Sequence, residues 1–247
     1  MSILLPPAEL VHKHWSNIAG YEKIGQEFKQ HLIDICALSP HHNILDVGSG
    51  IGRIAIALAE YLDMGHYEGF DIIPEGVKWC QDNITFHYPN FHFQVANIYN
   101  RKYNPRGVCR ASEFLFPYGR EWFDIVVLTS VFTHMRPDAI QRYLDEITRV
   151  LRPGGRCLIT WYLLDNRSRW LMQQDQTLFN FEHKLEGFWT THKEMPDVAV
   201  ALNDYDVIDM YTHSNLCIDE IYPGFWCNLQ NKEGALSSQD VIVATKK

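Results

Sequence analysis

Apolar residues recur along the chain in two alternating patterns, short continuous runs and stretches with helical spacing. Short runs of strand-forming residues predict strands at 43–48, 67–71, 91–96, from Phe123, where the apolar run is continuous, and in RCLITWYLL after the segment RPGG. Apolar residues three and four apart predict helices that begin near Ile51, Pro74 and Pro137. Strands that alternate with helices predict right-handed crossovers and a parallel sheet covered on both faces.

Several segments lie outside this alternation. Residues 12–37 begin loosely and then carry apolar residues at fourfold spacing, which predicts a helix ahead of the sheet (Ile24, Phe28, Leu32, Cys36). Residues 97–122 form a polar insert that contains Pro and Gly. The segment 165–215 is rich in aromatic residues but weakly periodic, and we interpret it as a non-sheet lid or binding segment. After it, LCIDEIYPGFW and SSQDVIVATKK predict two strands that pair antiparallel at a sheet edge.

Composition places the chain among globular proteins with one large core. It has 247 residues, of which 46% are hydrophobic and 21% charged, and we expect a single domain. The net charge of −8 and the lack of any Lys/Arg run longer than two argue against nucleic acid as a partner. With no apolar run of about 18 residues and no basic start, we expect a cytoplasmic protein without membrane contact. Six scattered cysteines without a CxxC pair predict reduced, mostly packed thiols.

The segment ILDVGSGIGR, Ile44 to Arg53, carries the first chemical signal. Its three glycines, at positions 48, 50 and 52, allow close approach of a ligand to the carboxyl end of the first strand. A dinucleotide fingerprint would require a further glycine at position 53, where the chain has Arg53. Asp46, two residues before the first glycine, would repel a pyrophosphate and attract a cationic amino or sulfonium group. The pattern therefore favours a zwitterionic ligand over a diphosphate.

Two polar residues at the ends of the next strands extend this site. Asp71 ends the second strand, where a carboxylate can accept hydrogen bonds from both hydroxyls of a ribose, with a helix cap as the alternative. Asn97, just past the third strand, can present its amide to a purine edge or serve as a turn residue. Ile72 and Ile98 can pack on the two faces of that purine.

The segments ILDVGSGIGR, YEGFDI, VANIY, FDIVVLTSVFTHM and LRPGGRCLIT, taken in order, resemble the class I S-adenosylmethionine-dependent methyltransferases over roughly residues 20–165. The resemblance implies an α/β fold, a Rossmann-like, doubly wound, seven-stranded and mainly parallel sheet. Its last strand runs antiparallel between its neighbours, and an N-terminal helix and a lid insertion complete it. The single domain then comprises a helical cap (1–40), a cofactor-binding core (41–164), a lid or acceptor region (165–215) and a C-terminal strand pair (216–247).

The same resemblance implies S-adenosylmethionine as cofactor and S-adenosylhomocysteine as product. Its methionine part would be held by Asp46 and by the turn of Gly48, Ser49, Gly50 and Gly52, and lined by the backbone of Leu128 and Thr129. Asp71 would hold the ribose, and the adenine would contact Ile72, Asn97 and Ile98. Tyr21 would close over the methionine end, unless it is a core tyrosine.

The acceptor side is less sharply defined. SVFTHM, TWYLLDN and SSQDVIVATKK resemble a bacterial subgroup found near sugar-modifying and natural-product genes. His134 is the candidate general base, with a backbone-bonded turn histidine as the alternative. Trp161 and Tyr162 should face opposite sides of their strand, so one of the two would line an acceptor pocket. The histidines lack metal-ligand spacing, and we expect no metal.

We therefore expect methyl transfer to an oxygen or nitrogen of a small-molecule acceptor by a monomer or homodimer. The fourth strand ends in Leu-Thr-Ser-Val instead of Asn/Asp-Pro-Pro-Tyr/Phe, which argues against base or amide nitrogens as targets. The alternative is a catalytically silent cofactor-binding subunit that supports a partner protein. A nicotinamide-dependent oxidoreductase is disfavoured by Arg53. We expect Asp71→Ala to weaken donor binding with the fold nearly intact, since its hydrogen bonds would be made to the ligand.

Overall fold

The structure is a computed structural model that describes residues 4–14, 18–228 and 232–247, so positions 1–3 and 15–17 of the predicted cap and 229–231 of the predicted strand pair lie outside the described residues. The helices are α1 Ala8–His14, α2 Ile18–Asp34, α3 Arg53–Leu58, α4 Pro74–Cys80, α5 Pro137–Val150, α6 Asn166–Gln173 and α7 Asp204–His213. A π-helical turn, Gln81–Thr85, continues α4. Among the described helices, none is both long and apolar enough to cross a membrane.

Seven strands form the main sheet, in the order β10-β11-β5-β4-β1-β2-β3. They are β1 Ile44–Val47, β2 Tyr67–Asp71, β3 Phe91–Val95, β4 Phe123–Leu128, β5 Leu151–Trp161, β10 Leu216–Tyr222 and β11 Asp240–Lys246. The strand β1 pairs parallel with β2 and β4, and β2 pairs parallel with β3. The last strand, β11, runs antiparallel to both of its neighbours, β5 and β10. The predicted α/β fold class is confirmed.

Burial explains why these runs became strands. All four side chains of β1 are buried, and five of the six in β4 are buried, as two-sided coverage of a parallel sheet requires. The boundary before β5 was predicted wrongly, because RPGG lies inside the strand and does not precede it. Leu151 is already extended at the end of α5, and Pro153 disfavours helical backbone at Arg152.

The described chain divides into two compact units. The N-terminal unit comprises the described residues up to Arg110 together with Trp122–Val127, and it contains α1–α4, β1–β3 and most of β4. The C-terminal unit comprises Ala111–Glu121 and Leu128–Lys247. The predicted single-domain division stays a prediction.

In the N-terminal unit, the helix predicted ahead of the sheet is confirmed as α2, which buries one face (Tyr21, Gly25, Phe28, Leu32). Its first turns and α1 share a small apolar cluster that includes Leu10, Val11 and Ile51. Tyr21 belongs to this cluster. The helices thereby pack against the residue that follows the second glycine of the predicted binding turn.

The segment 165–215 corrects the prediction of a non-sheet region. It contains α6, α7 and the strands β7 His183–Leu185, β8 Phe188–Thr190 and β9 Val200–Asn203, which join β6 Leu163–Leu164 in a second sheet of order β6-β9-β8-β7. This sheet has its own core, built around Tyr162, Phe181 and Trp226. Strands of two to four residues are too short to show an alternating pattern, which is why the periodicity was weak.

A buried ion network holds residues 111–121 in the C-terminal unit. The carboxylate of Glu146 on α5 accepts hydrogen bonds from the Phe116 amide at 2.7 Å and from Arg149 Nη2 at 2.6 Å. Arg149 in turn donates to the carbonyl oxygens of Phe116 and Tyr118 at 2.9 and 2.8 Å. Glu146 is 2% exposed, so its charge is compensated inside the protein and not by water.

We expect Glu146→Ala to lower the free energy of unfolding by about 3 kcal/mol, because it leaves the Arg149 charge without its partner in a largely buried place. Urea denaturation followed by circular dichroism measures the change. The control is Glu60→Ala, since Glu60 is exposed and no hydrogen bond or ion pair involves it in the described structure. Equal denaturation midpoints for the two variants would contradict the role of the network.

Candidate functional site

The turn after β1 reverses the chain through three glycines in the left-handed region. Gly48, Gly50 and Gly52 have φ values of 81°, 55° and 75°. The amides of Gly48 and Ser49 both donate to the carbonyl oxygen of Phe70 in β2, at 2.8 and 3.1 Å. The turn is therefore fastened to the neighbouring strand by backbone bonds before α3 begins.

Two of these glycines serve different purposes. A Cβ atom on Gly52 would lie 2.5 Å from Ile84 Cδ1 and 3.0 Å from Cys80 Sγ, so packing excludes a side chain there. A Cβ atom on Gly50 would meet nothing within 4 Å. The backbone at Gly50 therefore has open space beside it, as a ligand that approaches the turn closely requires.

Asp46 lies in β1 below this turn and is 2% exposed. Its Oδ2 accepts a hydrogen bond from the hydroxyl of Tyr67, while its Oδ1 has no partner among the described residues. Burial raises the pKa of Asp46 to about 7, and the Tyr67 hydrogen bond and the Arg53 charge act in the opposite direction. A buried carboxylate oxygen without a partner, and a pKa near neutrality, are typical of a binding site.

Asp71 ends β2 and is 8% exposed. Its Oδ2 accepts from the amide of Gly50 at 2.8 Å, and its Oδ1 accepts from the amide of Ile73 at 2.9 Å. The alternative of a helix cap is not what the structure has, since the N-cap of α4 is Ile73. The sequence analysis expected the fold of Asp71→Ala to stay nearly intact because the hydrogen bonds of Asp71 would be made to the ligand. That reason is wrong, because both carboxylate oxygens already accept hydrogen bonds from backbone amides.

Tyr21 and Arg53 flank the turn within the N-terminal unit. Tyr21 is buried and donates its hydroxyl to the carbonyl oxygen of Ile51 at 2.7 Å, which matches its core alternative. The Arg53 guanidinium lies 5.9 Å from the centre of the Phe28 ring, and its charge interacts with Asp46. The residue that replaces the dinucleotide glycine thus places a cation near the buried carboxylate.

The candidates for the adenine differ in exposure. Asn97 is exposed, and its carbonyl oxygen accepts from the amides of Val108 and Cys109 at 3.2 and 3.1 Å. Ile98 is buried, whereas Ile72 is half-buried. The side-chain amide of Asn97 makes no hydrogen bond within the described structure and is accessible to a ligand.

In the C-terminal unit, Leu128 and Thr129 are buried at the carboxyl end of β4, and the next residue has an unusual backbone. Ser130 has φ 59°, a conformation that non-glycine residues rarely adopt and that clusters at functional sites. Its amide donates to Thr160 Oγ1 at 2.7 Å, and its hydroxyl donates to Gln239 Oε1 at 3.1 Å. These two bonds hold the strained residue in place.

His134 lies in a 3₁₀ turn, Phe132–His134, that follows β4. Its Nδ1 is 3.1 Å from the carbonyl oxygen of Asp197, and a carbonyl only accepts, so Nδ1 carries the proton. The other ring nitrogen, Nε2, is therefore the basic one. The bond to Asp197 is the backbone contact that the structural alternative for His134 predicts. It also fixes the tautomer that a general base needs.

Trp161 is the last residue of β5, Tyr162 lies between β5 and β6, and both side chains are buried in separate surroundings. Trp161 donates its Nε1 to the Tyr211 hydroxyl at 3.2 Å and packs edge-on against Phe132. Tyr162 has rings on several sides at 5.3 to 5.4 Å (Phe179, Phe181, Trp226). Its hydroxyl accepts from Gln239 Nε2 at 3.3 Å.

The sequence analysis missed Tyr67, Ser130 and Gln239 as residues that orient candidate site groups. Tyr67 stands at the start of β2, and an aromatic residue in a predicted strand is usually interpreted as part of the core. Ser130 and Gln239 are 109 residues apart, and no local pattern connects them. Among the described residues, no group of three or more His, Cys, Asp or Glu side chains is placed to hold a metal ion.

These features fit the predicted cofactor in the N-terminal unit. The unpartnered Oδ1 of Asp46 can accept a hydrogen bond from the amino group of a methionine moiety. The open space at Gly50 allows that moiety to approach the backbone of the turn. Each carboxylate oxygen of Asp71 can accept more than one hydrogen bond, so its bonds to the amides of Gly50 and Ile73 are compatible with bonds to ribose hydroxyls.

Comparisons with known proteins agree with this chemistry. A family model described as a methyltransferase domain matches residues 38–199. The phthiotriol/phenolphthiotriol dimycocerosates methyltransferase of Mycobacterium leprae is 32% identical over 112 residues, which are 45% of this chain and 34% of that protein. The arsenite methyltransferase of Halobacterium salinarum is 29% identical over 126 residues, 50% of this chain and 28% of that protein. The chain thus spans about a third of the length of these relatives.

A solved structure shares the fold over almost the whole chain. The Burkholderia thailandensis 1,6-didemethyltoxoflavin-N1-methyltransferase, with bound 1,6-didemethyltoxoflavin and S-adenosylhomocysteine, has a TM-score of 0.58 and 17% identity, and the match covers 97% of this chain and 84% of that one. At this identity the likeness concerns the fold alone. From the family match over residues 38–199, and from the strand order and glycine turn described above, we conclude that the chain belongs to the class I S-adenosylmethionine-dependent methyltransferases.

Proposed function

We propose that this methyltransferase transfers the methyl group to an oxygen or nitrogen atom of a small-molecule acceptor. The observation that carries donor binding is the buried Asp46 carboxylate with an unpartnered Oδ1 below the open backbone of Gly50. A buried anion at that place favours a ligand with a cationic group, which S-adenosylmethionine provides.

On the donor side, we assign the methionine moiety to Asp46 and to the turn residues Gly48, Ser49, Gly50 and Gly52. Asp71 accepts from the ribose hydroxyls while it continues to hold the amides of Gly50 and Ile73. The adenine is assigned to Ile72, Asn97 and Ile98. The proposed contributions of Tyr21, Leu128 and Thr129 to the methionine end rest on the family resemblance.

On the acceptor side, we assign the general base to His134 and acceptor contacts to Trp161 or Tyr162. The bound cofactor supplies an activated methyl group on a sulfonium, so the protein's task is to align the nucleophile and exclude water. A hydroxyl acceptor loses its proton during transfer, and the basic Nε2 of His134 can take that proton. An amine acceptor needs only to arrive unprotonated.

The charge of the chain supports a small-molecule acceptor. The net charge of −8 opposes binding of a nucleic acid. The relatives are by name methyltransferases of varied acceptors, among them arsenite, a release factor glutamine and a tRNA cytidine, so the choice of acceptor class rests on the charge of this chain. The natural-product subgroup, a cytoplasmic location and a monomer or homodimer remain parts of this proposal.

We expect titration calorimetry with S-adenosylhomocysteine to give saturable binding with one site per chain, and we expect the Asp46→Asn variant to bind it more weakly.

The acceptor is tested with a panel of phenols, sugars and heterocyclic amines, and methyl transfer is measured as the S-adenosylhomocysteine released. Absence of binding to a folded chain would overturn the donor assignment. Binding without turnover, together with a stable complex with another protein, would favour the silent-subunit alternative.

We expect Asp71→Ala to lower the free energy of unfolding by about 2 kcal/mol, because the amides of Gly50 and Ile73 both lose a charged acceptor. Donor affinity should fall as well. Urea denaturation and calorimetry measure the two effects. Asp209→Ala is the matched control, since Asp209 is exposed on α7 and makes no hydrogen bond in the described structure. An unchanged stability of Asp71→Ala would contradict the anchoring role.

We expect His134→Ala to lower kcat for a hydroxyl acceptor by about 100-fold, with donor affinity unchanged, because the base is lost. His134→Asn separates the two roles of this residue, since an amide can still donate to the Asp197 carbonyl but cannot take a proton. If His134 is the general base, kcat should be lowered equally in both variants. Turnover of His134→Asn at the level of the unaltered protein would make the histidine a structural residue.

A further inference from the structure

The two oxygens of the Asp46 carboxylate have different surroundings. Oδ2 is hydrogen-bonded by the Tyr67 hydroxyl, and Oδ1 has no partner in the described structure. The side chain is almost fully buried, so bulk water is not a ready substitute for a missing donor. One oxygen is therefore fixed by the protein, and the other is left for a ligand.

The register of the sheet explains how Tyr67 reaches Asp46. In the β1–β2 pairing, Asp46 stands opposite Gly69, and Tyr67 precedes Gly69 by two residues on the same face. The contact is thus a diagonal cross-strand pair, which long aromatic side chains can span. A Cβ atom on Gly69 would lie 2.9 Å from Ser49 Cβ, so no side chain at position 69 can stand beside the phenol.

The ring of Tyr67 is held by contacts with other aromatic rings, independently of its hydrogen bond to Asp46. It stacks on Phe91 with centroids 5.0 Å apart and an interplanar angle of 15°, and it contacts Phe93 at 5.7 Å. Tyr67 is fully buried, and its hydroxyl points to Asp46 from this fixed stack. The aromatic stack therefore determines the orientation of the Tyr67 hydroxyl. Through its hydrogen bond, this hydroxyl determines the orientation of the Asp46 carboxylate.

We propose that Tyr67 is a positioning residue for donor binding, which holds the Asp46 carboxylate so that Oδ1 faces the cationic amino group of the donor. The proposal rests on the donor role of Asp46 in the proposed function. A phenylalanine at position 67 could make the same ring contacts, because these contacts do not need the hydroxyl. The proposal therefore explains why a tyrosine stands there.

Charge strengthens the argument from geometry. Burial raises the pKa of Asp46 to about 7, and the Tyr67 hydrogen bond lowers it, so the hydroxyl favours the ionised carboxylate that an ammonium group requires. Burial also raises the pKa of Tyr67, which keeps the phenol protonated as a donor. The other charged or titratable groups that act on this pair are Arg53, Asp71, Tyr21 and Cys80.

The test is the pH dependence of S-adenosylhomocysteine affinity for the Tyr67→Phe variant, measured by calorimetry between pH 5.5 and 9. Affinity falls as pH drops through the Asp46 pKa, because the neutral acid no longer attracts an ammonium group. Loss of the hydroxyl raises that pKa, so the fall should move to higher pH, with affinity weakened about tenfold at pH 7 and partly restored at pH 9. Titration of the ligand itself cancels in the comparison with the unaltered protein.

Tyr88→Phe is the matched control, because Tyr88 contacts the same Phe91 ring and its hydroxyl makes no hydrogen bond in the described structure. In an Asp46→Asn background, Tyr67→Phe should cause no further loss of affinity. If Tyr67→Phe binds like Tyr88→Phe at every pH, Tyr67 is structural and the inference fails while donor binding stands. If the unaltered protein binds no S-adenosylhomocysteine, the proposed function itself fails.

Discussion

A single carboxylate, that of Asp71, fixes the geometry of the candidate ligand-binding edge in the N-terminal unit. It lies at the end of β2 and bonds the amide of Gly50 in the turn after β1 and the amide of Ile73 before α4. Two loops that leave neighbouring parallel strands are thereby held by one group. The open backbone of Gly50 and the position of Asp46 below it depend on this bond and on the two amides that donate to Phe70.

Much of the main sheet was predictable, because its strands alternate with helices of clear apolar spacing and β4 is a largely continuous apolar run. The α2 helix and the antiparallel pair β10–β11 followed from the same signals. The second sheet was not predictable from periodicity, since its strands have two to four residues. One signal was present, the two-residue turn between β7 and β8, which contains Gly187 with φ 79°.

The candidate site was predictable where its residues lie at or just after the carboxyl ends of strands, as Asp46, Asp71 and the glycines do. The second function of Asp71 was not, since its bonds to backbone amides depend on how the turn folds. Tyr67 was hidden because a tyrosine within a buried strand looks like packing. The link between Ser130, Gln239 and Tyr162 joins parts of the chain that meet only when β11 is in the sheet.

The insertion of β11 between β5 and β10 constrains the order in which the C-terminal unit can assemble. Within the described main sheet, β10 pairs with β11 alone, and β11 follows it in sequence. During synthesis, β10 therefore emerges without a strand to join, and the edge of β5 stays uncovered until residues 240–246 leave the ribosome. A nascent chain at that stage exposes unpaired backbone, which is the condition under which chaperones and aggregation compete for it.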